Sequence, residues 1–307
     1  MTDGAAVVVG VDGSYSSLAA LDVAADEAAW RQRPLRVLHA YAPPAGQDQM
    51  KFAEPRVVTR WMVADAMSRA LARHPGLEAG TRLVCGATDE VLLTESRTAS
   101  LLVIGSRGLC GLRGLLAGST GTRVTTGAHC PVIVVMRGEH APDGGPVLIG
   151  VDGSRPSMAA IAFAFAEAAQ REVPLIALYA WVHPHSVDGD SLDPVADGFA
   201  EAKRAAIREL DEALRGWEAK YSEVAVSRKV LFSLDPAREL VAASTRAGIV
   251  VVGSRRRGKM RSLLFGSVGY TLIHHSSCPV AMVPPIDDRL AAATWFARTG
   301  GAGLAAG

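Results

Sequence analysis

Cysteine is scarce in this chain, with four residues in 307: Cys85, Cys110, Cys130 and Cys278. No two of them form a CxxC pair, so a disulfide framework and a structural zinc site are both disfavoured. Excess charge of either sign is also missing, since 32 Lys and Arg oppose 31 Asp and Glu for a formal net charge of +1. Without a basic stripe, an extended nucleic-acid surface is disfavoured, although small anionic ligands are not. No apolar run reaches membrane-spanning length. Met1-Thr2-Asp3-Gly4 leads straight into a strand-like run, without the basic region and apolar core of a signal peptide. These absences lead us to expect a cytoplasmic protein with no membrane partner.

What is present is apolar substance, 49% of residues, enough for one large core or two ordinary ones. The chain repeats itself. Val7-Val8-Val9-Gly10-Val11-Asp12-Gly13-Ser14 returns as Val147-Leu148-Ile149-Gly150-Val151-Asp152-Gly153-Ser154, and Cys130-Pro131-Val132 returns as Cys278-Pro279-Val280. Copies of this length point to duplicated domains rather than a solenoid. Within each copy, apolar runs alternate with segments of helical periodicity. Leu18, Leu21, Ala25 and Ala28 form one apolar stripe and Met158, Ile161, Phe165 and Ala168 its counterpart. The third strand of the first copy is expected over Arg82 to Cys85, and the last strands over Val132 to Met136 and Val280 to Val283.

Such alternation implies an α/β fold: two tandem, doubly wound, five-stranded parallel-sheet domains of Rossmann-like type. The domains are expected over 1–138 and 146–285, followed by a tail over 286–307 whose last residues, Thr299 to Gly307, are Gly- and Ala-rich. The short apolar last strand of each copy, introduced by proline, would leave an unpaired edge that its duplicate can cover as a pseudo-dimer.

A glycine-rich loop leaves the fourth strand of each copy. In the first, Gly105 and Gly108 are followed after nine residues by Gly118-Ser119-Thr120; in the second, Gly253 is followed by Gly266-Ser267-Val268. Ser119 is expected at the N-cap of the next helix. Glycines let backbone N–H groups approach an anion, and a helix terminus adds unpaired donors and partial positive charge, so the loop reads as a phosphate cradle. Asp12 and Asp152 close the first strand of each copy. Asp-Gly there is a turn former, and its carboxylate can also accept sugar hydroxyls or hold a divalent ion.

Together, the Gly-Val-Asp-Gly-Ser strand end and the Gly-x-x-Gly, nine-residue, Gly-Ser loop resemble the nucleotide-binding universal stress protein family, tandem two-domain type. The resemblance spans about Val7 to Pro284. It implies an adenine nucleotide alpha hydrolase-like fold, homodimerisation, and binding of ATP with Mg2+ or Mn2+. It places the phosphates on Gly105, Gly108, Gly118, Ser119 and Thr120, with Gly10 and Asp12 facing the nucleotide and Ala40 near the base. In the second copy, Gly150, Asp152, Ala180, Gly253, Gly266, Ser267 and Val268 correspond. The same places put Tyr41 and Trp181 where they could flank the bases, although aromatics that end strands are more often packing residues. Arg256 is also a candidate binding residue: it stands where the first loop has Gly108, which predicts weaker binding by the second copy, although its guanidinium could return some affinity on a phosphate.

Neither loop carries Gly-Lys-Ser/Thr, and no strand leads into Ser119 as a hydrolase elbow requires. His183-Pro184-His185 and His274-His275 read as surface or helix-end residues. The function expected is nucleotide-dependent regulation of stress adaptation. The rival is a slow ATPase or phosphotransferase in the same pocket, for which no set of catalytic base and arginine finger is evident.

Overall fold

The computed structural model describes residues 5–41, 57–106, 119–136, 144–181, 196–254 and 267–285. They fall into two compact units, divided after Gly138.

Unit one runs β1 (Val7–Gly10), α1 (Tyr15–Trp30), β2 (Leu35–Tyr41), α2 (Val57–Arg73), β3 (Ala79–Cys85), α3 (Thr88–Glu95), β4 (Leu101–Gly105), α4 (Ser119–Gly127) and β5 (Val132–Val135). Its strand order is β3-β2-β1-β4-β5, every pair parallel. Unit two runs β6 (Val147–Val151), α5 (Arg155–Arg171), β7 (Leu175–Trp181), α6 (Ala196–Lys220), β8 (Val226–Phe232), α7 (Pro236–Ser244), β9 (Ile249–Gly253), α8 (Ser267–His275) and β10 (Val280–Val283). Its order, β8-β7-β6-β9-β10, is that of unit one.

The inner strands are continuous apolar runs because parallel strands are covered on both faces. Val7, Val8, Val9, Leu101, Leu102 and Val103 are all fully buried, as are Val147, Ile149 and Ile249 to Val251. The edge strand departs from this rule. β3 begins at Ala79, earlier than its apolar residues suggest, because an edge strand keeps one side open and Gly80, Thr81 and Arg82 remain exposed. Met158 also corrects the apolar stripe. It is 45% exposed, whereas Ile161, Phe165 and Ala168 lie in the core.

Helix α1 lies close against β4. A Cβ placed at Gly105 would come within 2.6 Å of the Ser16 carbonyl oxygen and 2.7 Å of its carbon, distances side chains do not adopt. Gly105→Ala should therefore push α1 away and destabilise the protein by about 1–3 kcal/mol in urea titration. Gly216, exposed within α6 and with nothing within 4 Å of its missing Cβ, should behave oppositely. Gly216→Ala is expected to raise stability by about 0.5–1 kcal/mol.

Candidate functional site

In unit one the chain leaves β1 toward β2 on one side, and leaves β4 toward β5 on the other. Neighbouring connections that part in this way open a crevice beyond the carboxyl ends of their strands, where ligands bind in open α/β sheets. The order in unit two places the corresponding divergence between β6 and β9.

Asp12 lies at the first crevice, in a tight turn. Its Oδ1 accepts the N–H of Ser14 at 3.0 Å, and its own N–H reaches Ser17 Oγ at 3.2 Å. Gly13 between them has φ +80°, a left-handed conformation that suits glycine. Ser14 is the N-cap of α1 and accepts the N–H of Ser17 on its hydroxyl at 3.2 Å. The carboxylate is therefore half-buried and oriented by the same turn that starts the helix.

Unit two repeats this turn with a change of partner. Asp152 Oδ1 accepts the N–H of Ser154 at 3.0 Å and also its hydroxyl at 2.5 Å, with Gly153 at φ +70°. The Ser154 hydroxyl does not cap α5, having turned to the aspartate instead.

Beside Asp12, His39 of β2 brings Nδ1 to 2.7 Å from the Val11 carbonyl oxygen, an arrangement in which that nitrogen is the protonated one. Gly10 pairs with Leu38, and Ala40 follows two residues along the same strand. Gly150 pairs with Leu178 and Ala180 stands in the matching place. Both alanines are half-buried. The structure thus brings Gly10, Asp12, Ala40 and Gly105 to one end of the first sheet, and Gly150, Asp152, Ala180 and Gly253 to one end of the second.

Helix α4 begins at Ser119 itself, and α8 at Ser267. Ser119 is thus the first helical residue rather than the N-cap expected from sequence, and Ser267 holds the same position in unit two. The change leaves the argument for unpaired first-turn N–H groups intact, because those donors belong to the helix start whichever residue caps it. Thr120 follows in the first turn of α4, and Val268, half-buried, in that of α8. Gly108, Gly118, Arg256 and Gly266 lie outside the described residues.

Trp181 proves to be a packing residue. It is 7% exposed, with Phe199 at 4.9 Å and Phe232 at 5.4 Å between ring centroids. Its ring is enclosed by neighbours rather than offered to a base. Tyr41 remains half-buried at the end of β2, and the N–H of Gly86 donates to its carbonyl at 2.9 Å.

Sequence reading missed three residues near these turns. Met62 of α2 closes over Gly13, Glu209 of α6 approaches Gly153, and Ser16 passes against Gly105. All come from helices, so neither spacing nor motif announces them. Elsewhere Cys130 and Cys278 are buried, and burial pushes the Cys278 thiol up to about 11. Alkylation at pH 8 should accordingly modify exposed Cys85 and spare both of them in the folded protein, as peptide mass spectrometry would report.

The description of the universal stress protein family matches this chain twice, over residues 5–136 and 145–284. A universal stress protein of Mycobacterium tuberculosis is 35% identical over 290 residues, covering 89% of this chain and 94% of the relative. A second from the same species is 37% identical over 286 residues, covering 89% and 95%. Among solved structures, a universal stress protein from Archaeoglobus fulgidus superposes with a TM-score of 0.64. It covers 92% of this chain and 98% of that one; at 18% identity it speaks to the fold alone.

The Asp12 turn gives a direct test of local architecture. Asp12→Asn retains an oxygen that can accept the Ser14 N–H, so its thermal stability should match the parent. Asp12→Ala removes that acceptor and should cost about 1 kcal/mol, read as a lowered Tm.

Proposed function

This chain belongs to the universal stress protein family, and on that footing we propose that both units are adenine-nucleotide sites, with ATP the ligand of unit one. The observation that carries the reading is the oriented Asp12 carboxylate at the divergence of β1 and β4. The carboxylate suits ribose hydroxyls, which donate. The first-turn N–H groups of α4 suit phosphate, which accepts.

A divalent ion, Mg2+ or Mn2+, fits the same place. Asp12 would hold it in unit one and Asp152 in unit two, and the ion would neutralise phosphate charge. Among the described residues no group of three or more His, Cys, Asp or Glu is gathered to bind an ion, so the nucleotide's own oxygens would complete the coordination.

Binding, rather than turnover, is the proposed function: nucleotide occupancy changes what the protein contacts during stress adaptation. The protein would act in the cytoplasm, as a homodimer, on a small anion and not on nucleic acid. No helix among the described residues is long and apolar enough to cross a membrane.

Calorimetric titration with ATP and Mg2+ tests the reading. Asp12→Asn should weaken ATP at unit one about tenfold, the size of one charge-assisted hydrogen bond, while leaving Tm unchanged. ADP should not accumulate over hours. Unaltered ATP affinity in Asp12→Asn would remove Asp12 from the site, and steady ADP release would make the protein an enzyme.

A further inference from the structure

The two Asp-Gly turns are alike in backbone and unlike in charge. Over Gly13 stands Met62, whose Sδ lies 2.9 Å from where a Cβ would be; over Gly153 stands Glu209, with Oε2 at 4.0 Å from the matching point. The strand beneath changes in step. Leu38 pairs with Gly10 and Leu178 with Gly150, so the residues that follow, His39 and Tyr179, are equivalent in register. His39 donates to the Val11 carbonyl, whereas the Tyr179 hydroxyl donates to Glu209 Oε2 at 2.6 Å.

A phenol fixes a carboxylate without cancelling its charge. Burial first, and the bond to Glu209 second, push the Tyr179 hydroxyl up to about 12, so it is a neutral donor at physiological pH. Asp12 and Asp152 are common to both turns. Over the turn itself, unit one presents a thioether where unit two presents a positioned negative charge.

We infer that Glu209, held by Tyr179, is a charge-selectivity residue of the second nucleotide site: it disfavours polyanionic nucleotides there and leaves uncharged nucleosides unaffected. The inference rests on the nucleotide reading above. At this turn a triphosphate meets a carboxylate in unit two where unit one has a thioether, and adenosine carries no charge for it to repel. Because Glu209 is exposed, its field is screened over about 8 Å at physiological salt, and the expected effect is about two- to fivefold.

The test is calorimetry on the full chain with ATP and, separately, adenosine, at low and physiological salt, using Asp152→Asn to identify the second site. Glu209→Gln keeps an acceptor for the Tyr179 hydroxyl and removes the charge. It should tighten ATP at the second site about two- to fivefold, less so as salt is added, with adenosine unchanged. Met62→Glu should weaken ATP at the first site by a similar factor. Equal shifts for ATP and adenosine, or no shift, would overturn the inference by making Glu209 a packing residue. A second site absent from both the parent and Glu209→Gln would overturn it while leaving unit one intact. A parent that binds neither ligand in either unit would instead remove the nucleotide reading itself, and this inference with it.

Discussion

The approach of α1 to β4 at Gly105 is the contact on which the candidate site of unit one depends. With only hydrogen on that Cα, the backbone of Ser16 can lie where a side chain would stand. The start of α1 is thereby drawn to the end of β4, and with it the Asp12 turn, which bonds directly to the N-cap residue Ser14 and to Ser17 of the first turn. A glycine read from sequence as a phosphate contact thus has a prior duty in packing. The two roles are compatible, since a strand end that lets a helix approach on one side leaves its backbone uncovered for a ligand on the other.

The fold was legible because parallel strands buried on both faces cannot hide their pattern. Val7 to Val9 and Leu101 to Ile104 are continuous apolar runs, and the duplicate repeats them. The Asp-Gly-Ser turn was legible for a similar reason, as its chemistry is local and each bond spans five residues or fewer. What escaped depends on contacts between distant segments. The start of β3 at Ala79 follows from its place at an edge, and the exposure of Met158 from which side of α5 meets the sheet. Packing was the commoner expectation for an aromatic that ends a strand, but the partners of Trp181, Phe199 of α6 and Phe232 of β8, could not be named from β7 alone.

Duplication has preserved the frame and released its lining. Each unit keeps the strand order, the left-handed glycine after its aspartate and the serine that follows. The side chains that close over those turns have diverged, so that Met62 and His39 stand in one unit where Glu209 and Tyr179 stand in the other. Two sites with common backbone geometry and different charge can answer differently to one ligand. On the proposed function, such a protein would have more than one state of occupancy to report.

The central claim is that nucleotide sits where β1 and β4 diverge, between the Asp12 turn and the start of α4. Amide hydrogen exchange of the full chain with and without ATP and Mg2+ tests this most directly, because it reports on those backbone segments without altering any residue. The account predicts slowed exchange at residues 10–14 and 119–122, with the far ends of the same strands unchanged. Unaltered exchange in both segments at saturating ATP, or protection confined to another part of the chain, would contradict it.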